Sequence, residues 1–245
     1  MNVLSLVDDY TLISGANVSI SGFHIRQPTA GDIRDIGYQT YREYLSTLLI
    51  TKDSLCEILK ISVKFSQEVT LFNIIAAVPE MQDAFISALS FFVIEAVSFD
   101  GDKEAFSFNG TPISSKAFEL IKSAIFEISF IDHEESEAEH KFASPKAKEI
   151  WEKVQKRRKE FESAKAASKS KDMELSNMIS AICAKHGSYN LLNIWSLTVF
   201  QIYDQFSRIN TNNQIDVVGQ RWAAWGKSDF DFSLWFKKNF NEKGD

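Results

Sequence analysis

The chain has 245 residues, a formal net charge of −6 and a hydrophobic fraction of 44%, which suits one globular domain or two small ones. Its 20 Phe and 5 Trp argue against a wholly disordered chain, and the excess of 33 acidic over 27 basic residues argues against general nucleic-acid binding. Two cysteines cannot build a disulfide framework, so we expect a reducing, intracellular compartment.

The N-terminus and the most apolar window predict neither a signal peptide nor a membrane span. The first ten residues carry no basic side chain, and Asp8 and Asp9 interrupt the apolar run. The window Ala84–Val97 contains Glu95 and is shorter than the roughly 20 apolar residues that a membrane span needs. We therefore expect a buried core helix there and no membrane partner.

Strand and helix signals follow one another near the N-terminus. Residues 17–27 alternate as in a strand, and the alternation changes phase at Gly22, which predicts a bulge or a tight hairpin. Thr29, with Asp32 three residues later, predicts a capping-box start to a helix. The apolar positions of that helix are Ile33, Ile36, Tyr41, Tyr44, Leu45 and Leu48.

Residues 53–95 predict two or three helices with a break near Val78-Pro79-Glu80. The stripe of the last of these helices consists of Phe85, Leu89, Phe92 and Ala96.

A short β segment and another helix follow. Val97 and Phe99 are expected to face Phe106 and Phe108 across a turn, and Asn109-Gly110 is a second turn signal. Ser114 or Ser115 then caps a helix whose apolar residues are Phe118, Ile121, Ile125 and Phe126. The predicted fold class is mainly α with a small β component.

The middle of the chain is strongly charged. Residues 132–139 hold five acidic residues, whereas residues 151–171 hold eight basic residues and three Glu. Between them, Ser144-Pro145 predicts a helix start, and residues 166–171 are the best linker candidate. We therefore predict an N-terminal α+β domain at 1–131, a charged helical connector at 132–171 and an aromatic-rich helical domain at 172–245.

The C-terminal part predicts two helices. The first spans Met173–Lys185 and is closed by Gly187, and the second spans 188–209 with Ser188 as its cap. The second helix is apolar on two faces, which is typical of a core helix or an oligomer interface. Its first face is Leu192, Trp195, Val199, Ile202, Phe206 and Ile209, and its second is Leu191, Ile194, Leu197, Phe200 and Tyr203. A polar loop is predicted at 210–214.

Phosphate-binding and calcium-binding motifs are incomplete in this sequence. Residues 226–228 (GKS) end like a phosphate-binding loop, but Arg221 stands where such a loop needs Gly. Residues 100–111 begin like a calcium loop, but Ala105 and Thr111 replace its Gly and its bidentate Glu. A solvated turn and an acidic hairpin turn are the favoured interpretations.

The remaining candidates for chemistry are also weak. His133 and His140 flank the acidic cluster, where a flexible connector is favoured over a metal site. Cys183 and His186 lie near a helix end, where a catalytic pair is the less favoured interpretation. The basic residues at 153–159 indicate a solvated helical face rather than phosphate contacts. We expect no catalytic residue, no metal and no cofactor, and a protein that works through binding surfaces.

Two stretches carry a resemblance to a known family. They are Phe23–Tyr38 (FHIRQPTAGDIRDIGY) and Asn190–Arg208 (NLLNIWSLTVFQIYDQFSR), followed by the ending SLWFKKNF. Together they resemble the tail assembly chaperones and related small tail-module proteins of long-tailed phages of Gram-positive bacteria. The resemblance implies a mainly helical, non-enzymatic protein of the infected host cytoplasm. Such proteins bind the tape-measure protein and keep it soluble before the tail tube polymerises, and in many phages a longer form arises by frameshifting.

Two sets of apolar residues are candidates for the partner-binding surface. The first lies on the polar helix predicted at 145–168, which has little apolar area to bury. The second is the C-terminal aromatic cluster, for which core packing is the favoured alternative. The candidates are Ile150, Trp151, Val154 and Phe161 in the first set and Trp222, Trp225, Trp235 and Phe236 in the second. The alternative function is a structural or adaptor protein of the particle that oligomerises through helix 188–209, and an enzyme with an unrecognised site is a third possibility.

Overall fold

The computed structural model describes residues 6–52, 70–101, 103–131 and 174–226. These residues are mainly α-helical with two small antiparallel sheets, which confirms the predicted fold class. They fall into two units. The first contains the described residues up to Ile131 together with Trp195–Gln201, and the second contains residues 174–194 and 202–226.

Helices and short strands alternate along the first unit. Its elements are α1 (Asp9–Ser14), β1 (Val18–Ile20), β2 (Phe23–Ile25), α2 (Ala30–Ile36), α3 (Tyr38–Leu49), α4 (Leu71–Ala77), α5 (Pro79–Phe92), β3 (Val97–Asp100), β4 (Ala105–Phe108), β5 (Thr111–Pro112) and α6 (Ser115–Ile128). Beyond residue 173 the chain forms α7 (Leu175–Lys185), a 3-10 turn (Ile194–Ser196) and α8 (Val199–Trp225). Helix α8 starts in the first unit and continues in the second.

The phase change at Gly22 produces a tight hairpin and not a bulge. Val18 pairs with Ile25, and Ile20 pairs with Phe23. The two turn residues Ser21 and Gly22 have φ angles of 52° and 86°. Positive φ at both central positions is the turn geometry that matches the twist of the flanking strands.

The capping box at the start of α2 is confirmed, but the helix is shorter than predicted. The Thr29 hydroxyl accepts the Asp32 N–H at 3.1 Å, and an Asp32 carboxylate oxygen accepts the Thr29 N–H at 2.8 Å. The single helix predicted through Leu48 is wrong, because Gly37 has φ 88° and ψ 137° and ends α2. Helix α3 begins at the next residue and buries Tyr41, Leu45 and Leu48.

The predicted break at Val78-Pro79 is confirmed between α4 and α5. Phe85, Leu89 and Phe92 are buried on α5, as the stripe predicts. Ala96 does not extend this stripe, because α5 ends at Phe92 and Val93 is extended and bridges Ile25.

No single helix among the described residues is long and apolar enough to cross a membrane. Helices α4 and α5 satisfy the length and composition requirement only as a pair bent by 117°.

The central hairpin is confirmed in its predicted register. Val97 pairs with Phe108 and Phe99 with Phe106. Asn109 and Gly110 adopt φ angles of 49° and 77° and turn the chain into β5.

The helix after this hairpin is also confirmed, and it closes a phenylalanine-rich core. Ser114 caps α6 by accepting the Ala117 N–H at 3.2 Å. The ring of Phe118 on α6 stacks on Phe106 with centroids 5.4 Å apart and meets Phe72 edge-on at 5.1 Å. Phe85 and Phe106 are also fully buried, so this core joins α4, α5, β4 and α6.

The C-terminal helices differ from the prediction. Helix α7 runs from Leu175 to Lys185 and is followed by His186, whose backbone is extended, so the predicted closure by a left-handed Gly187 is wrong. The helix predicted at 188–209 is wrong at both ends, because α8 runs from Val199 to Trp225 through the expected polar loop at 210–214.

Side-chain hydrogen bonds hold a short turn in the chain before α8. Asn190 Oδ1 accepts the Leu192 N–H and Asn193 Oδ1 accepts the Asn190 N–H, both at 2.8 Å. The Ile194 N–H donates to the Asn190 carbonyl at 3.0 Å, so the two asparagine side chains cap a single helical turn.

Candidate interaction surface

The predicted partner-binding residues are only partly within the described structure. Ile150, Trp151, Val154 and Phe161 lie outside the described residues, as do Trp235 and Phe236. Trp222 and Trp225 lie on the last turns of α8. Partner binding therefore stays a prediction for all eight residues. The structure describes the surface around Trp222 and Trp225 only.

The end of α8 presents an exposed apolar stripe. Val218, Trp222 and Trp225 are 41%, 45% and 67% exposed, and their spacing of four and three residues places them along one side of the helix. Val217 is a further exposed apolar residue in this segment. Trp222 and Trp225 are therefore not fully buried in the described structure, although core packing was the favoured interpretation of the cluster.

Few charges and weak helix formers surround this stripe. Asp216 and Arg221 are the only charged residues between positions 216 and 225, and both are exposed. Val217, Val218 and Gly219 have lower helix propensity than Ala or Leu. An exposed apolar segment of this kind is typical of a protein-interaction site.

Both ends of α8 are capped. At the start, the Thr198 hydroxyl accepts the Gln201 N–H at 3.2 Å, and Gln201 Oε1 accepts the Thr198 N–H at 2.9 Å. At the end, the Gly226 N–H donates to the Trp222 carbonyl at 2.7 Å, and Gly226 has φ 57°. These caps satisfy backbone groups that a helix leaves without internal partners.

The two stretches that carry the family resemblance contact each other in the first unit. The Ala30 N–H donates to the Leu197 carbonyl at 2.9 Å, and the Val199 N–H donates to the Pro28 carbonyl at 3.1 Å. Between these bonds, Thr29 and Thr198 form an antiparallel bridge. The family resemblance was identified from both stretches, but nothing in the sequence indicated that they pack together.

A second exposed apolar feature was missed from the sequence. Leu191 and Leu192, which were assigned to a helix face, lie on the turn at 190–193 and are 62% and 90% exposed. The Asn193 side-chain amide donates to the Ser188 carbonyl at 2.9 Å, which adds to the hydrogen bonds that hold this turn. The pair Asn190 and Asn193 flanking two leucines was the available signal, because Asn favours such local bonds.

The acidic residues of the incomplete calcium-loop motif have partners within the protein. Asp100 forms an ion pair with Lys103 at 3.1 Å, and Glu104 accepts a hydrogen bond from Asn73. Across residues 6–52, 70–101, 103–131 and 174–226, no group of three or more His, Cys, Asp or Glu side chains could hold a metal ion.

The described surroundings of Cys183 and His186 do not favour a nucleophilic cysteine. Burial raises the pKa of the Cys183 thiol, which disfavours the reactive thiolate. The ring of His186 lies 4.8 Å from Tyr189, and its Nδ1 accepts the Ser188 N–H at 3.2 Å.

One carboxylate joins the N-terminal hairpin to the chain after α5. Glu95 accepts the His24 N–H at 3.1 Å and lies 2.8 Å from His24 Nδ1. Burial raises the pKa of Glu95, but hydrogen bonds from His24 outweigh it, so the pKa lies below its ordinary value.

Part of the chain is similar to a phage-derived family. Residues 166–239 match the model of the YomV second domain, a family name that comes from a Bacillus prophage. No curated protein and no solved structure is significantly similar to the chain. The matched residues are less than a third of the chain, and they include α7, the 190–193 turn and α8. The match associates this part of the chain with phage proteins.

Proposed function

We propose that this protein is a phage tail assembly chaperone that binds the tape-measure protein and keeps it soluble before the tail tube polymerises. The observation that carries the proposal is the exposed stripe of Val218, Trp222 and Trp225, in the segment that matches a phage-derived family. The proposed role is binding rather than catalysis, and its place is the cytoplasm of the infected bacterium.

The chemistry of the stripe suits this role. A tape-measure protein contains long amphipathic helices, whose apolar faces aggregate when they are exposed. Exposed tryptophans bury large areas on binding and are often the residues that dominate interface energetics. An amphipathic helix packs its apolar side against such anchors at helical spacing.

Co-expression with the tape-measure protein of the same phage tests the proposal. We expect the tape-measure protein to be soluble and to co-purify with the wild-type chain. We expect it to move to the insoluble fraction when the chain carries both Trp222→Ala and Trp225→Ala. Tyr10→Ala is the matched control, because Tyr10 is an exposed aromatic residue, 87% exposed, outside the stripe.

Two results would count against the proposal. Undiminished capture by the double tryptophan variant, with its helical content intact, would show that the stripe is not the binding surface. Stoichiometric presence of the chain in purified particles would indicate the structural or adaptor role instead.

A further inference from the structure

The exposed stripe at the end of α8 is followed in the sequence by a second apolar stretch. Val218, Trp222 and Trp225 form the stripe along one side of the helix. Residues 230–236 (FDFSLWF) contain five large apolar side chains, and we call them the apolar segment. The apolar segment lies outside the described residues, and burial of its side chains against an apolar surface would be favourable.

The last residue of the described structure ends the helix sharply. Gly226 has φ 57°, and its N–H donates to the Trp222 carbonyl at 2.7 Å. A left-handed glycine at this position ends a helix and takes the chain off the helix axis. The apolar segment therefore starts beside the stripe, separated from α8 only by Gly226 and residues 227–229.

This linker is long enough for the apolar segment to return along the stripe. Val218 and Trp225 are seven residues apart, which is about 10 Å along the helix axis. Residues 227–229 allow about 13 Å between Gly226 and Phe230. The seven residues of the apolar segment span about 10 Å as a helix and about 23 Å as a strand, so either conformation can cover the stripe.

Charge and the family match favour the apolar segment as the occupant of the stripe. Arg221 is exposed and flanks the stripe next to Trp222, and Asp231 is the acidic residue within the apolar segment. A returning segment therefore brings opposite charges together at this end of α8. The match to the YomV second domain runs to residue 239, so one domain model contains both the stripe and the apolar segment.

We propose that the apolar segment folds back onto the stripe and covers it in the free chain. The short linker gives the segment a high effective concentration at this surface. A tape-measure helix then binds by displacing the segment, and the stripe stays protected from aggregation until that partner is present. Only the displacement rests on the proposed function, because the covering is a property of the isolated chain.

Disulfide formation in two full-length variants tests the covering. Both variants carry Cys56→Ser, Cys183→Ser and Leu234→Cys. The test variant also carries Val218→Cys, which lies in the stripe. The matched control instead carries Gln220→Cys, two residues further along α8 and therefore on the opposite side of the helix. Gln220 is exposed and is nearer to the linker, so tethering alone would favour the control.

Equilibration with a glutathione redox buffer at low protein concentration gives the effective concentration of each intrachain thiol pair. We expect this effective concentration to be about tenfold higher for positions 218 and 234 than for positions 220 and 234. Equal values in the two variants, with the helical content of both intact, would overturn the proposal.

Acrylamide quenching provides a second measurement that needs no new cysteine. The chain used keeps only the two tryptophans of the stripe, because the other three are replaced by Phe. Phe232→Ser in this chain should raise the quenching constant, since it weakens the cover over the stripe. Phe232→Leu is the control and should leave the constant close to that of the parent chain. No rise with Phe232→Ser would also overturn the proposal.

The result is separable from that of co-expression with the tape-measure protein. A preference for position 218, without capture of the tape-measure protein, would support the covering and count against the proposed function alone. Capture of the tape-measure protein without this preference would overturn the covering and leave the proposed function standing.

Discussion

Replacing Gly31 with Ala tests how closely residues Trp195–Gln201 approach α2 within the first unit. The added methyl group would lie 3.0 Å from the Trp195 carbonyl oxygen and 3.4 Å from Thr29 Oγ1. The nearer atom is backbone, and the bond from Ala30 N–H to the Leu197 carbonyl holds the chain close by at 2.9 Å. The clash therefore cannot be relieved by rotating one side chain.

The expected magnitude follows from two opposing effects. Ala is favoured over Gly within a helix by about 0.5–1 kcal/mol. Overpacking by an added methyl group typically costs about 1–3 kcal/mol. We expect a net loss of about 1–2 kcal/mol in the packing of Trp195–Gln201 against α2, which changes the equilibrium between its packed and detached states by a factor of about 5–30.

Amide hydrogen exchange measures this loss where it occurs. The N–H groups of Ala30 and Val199 donate the two backbone bonds between residues 28–30 and 197–199, so their exchange should accelerate by about 5- to 30-fold in Gly31→Ala. Gly187→Ala is the control, because its added Cβ has no neighbour within 4 Å and its backbone φ is not positive. Unchanged or slower exchange at both amides of Gly31→Ala would refute the close-approach reasoning.

Three further predictions concern stability. Because the pKa of Glu95 is lowered from its ordinary value of 4.5, its contribution is complete above that pH and is lost as the pH falls through the folded-state pKa. Urea unfolding midpoints should therefore fall on acidification below this range in the wild-type chain, and less so in Glu95→Gln. Thr198→Ala should cost about 0.5–2 kcal/mol by removing the cap of α8, whereas Thr198→Ser should retain most of it in the same denaturation assay. Phe118→Ala should cost about 3–5 kcal/mol in the unfolding of the first unit, and a loss below 1 kcal/mol would contradict its place in the aromatic core.

The features predicted correctly from the sequence depend on local signals. Thr29 with Asp32, Asn109-Gly110 and Val78-Pro79 each specify backbone geometry through residues close together in the chain. Capping residues, left-handed turn residues and proline act in the same way wherever they occur. The sequence therefore sufficed for the central hairpin and for the starts of α2, α5 and α6, whereas at Gly22 it left a bulge and a tight hairpin open.

The features missed from the sequence depend on contacts between distant residues or on competing local ones. Nothing in residues 188–198 indicates that Leu197 pairs with Ala30, a contact that moves the start of α8 to Val199. The polar residues at 210–214 were taken for a loop, but Ile215 beyond them is buried and the helix continues through them. Tertiary packing overrides weak helix propensity in this way.

The candidate surface was predictable only in composition. Trp222 and Trp225 were named as candidates from the sequence, but their alignment with Val218 required the observed extension of α8. Core packing was the favoured alternative because most tryptophans are largely buried, whereas Trp222 and Trp225 are 45% and 67% exposed on the last turns of α8.

The placement of the tryptophans has a spectroscopic consequence. All five lie at position 151 or later, and Trp195 is the only one among the described residues of the first unit. The phenylalanine core of that unit contributes little to emission when indole is excited selectively. In a chain whose other four tryptophans are replaced by Phe, the emission would come from Trp195 alone. Its wavelength and quenching would report in real time whether the Trp195 ring lies beneath Arg34 or has entered water.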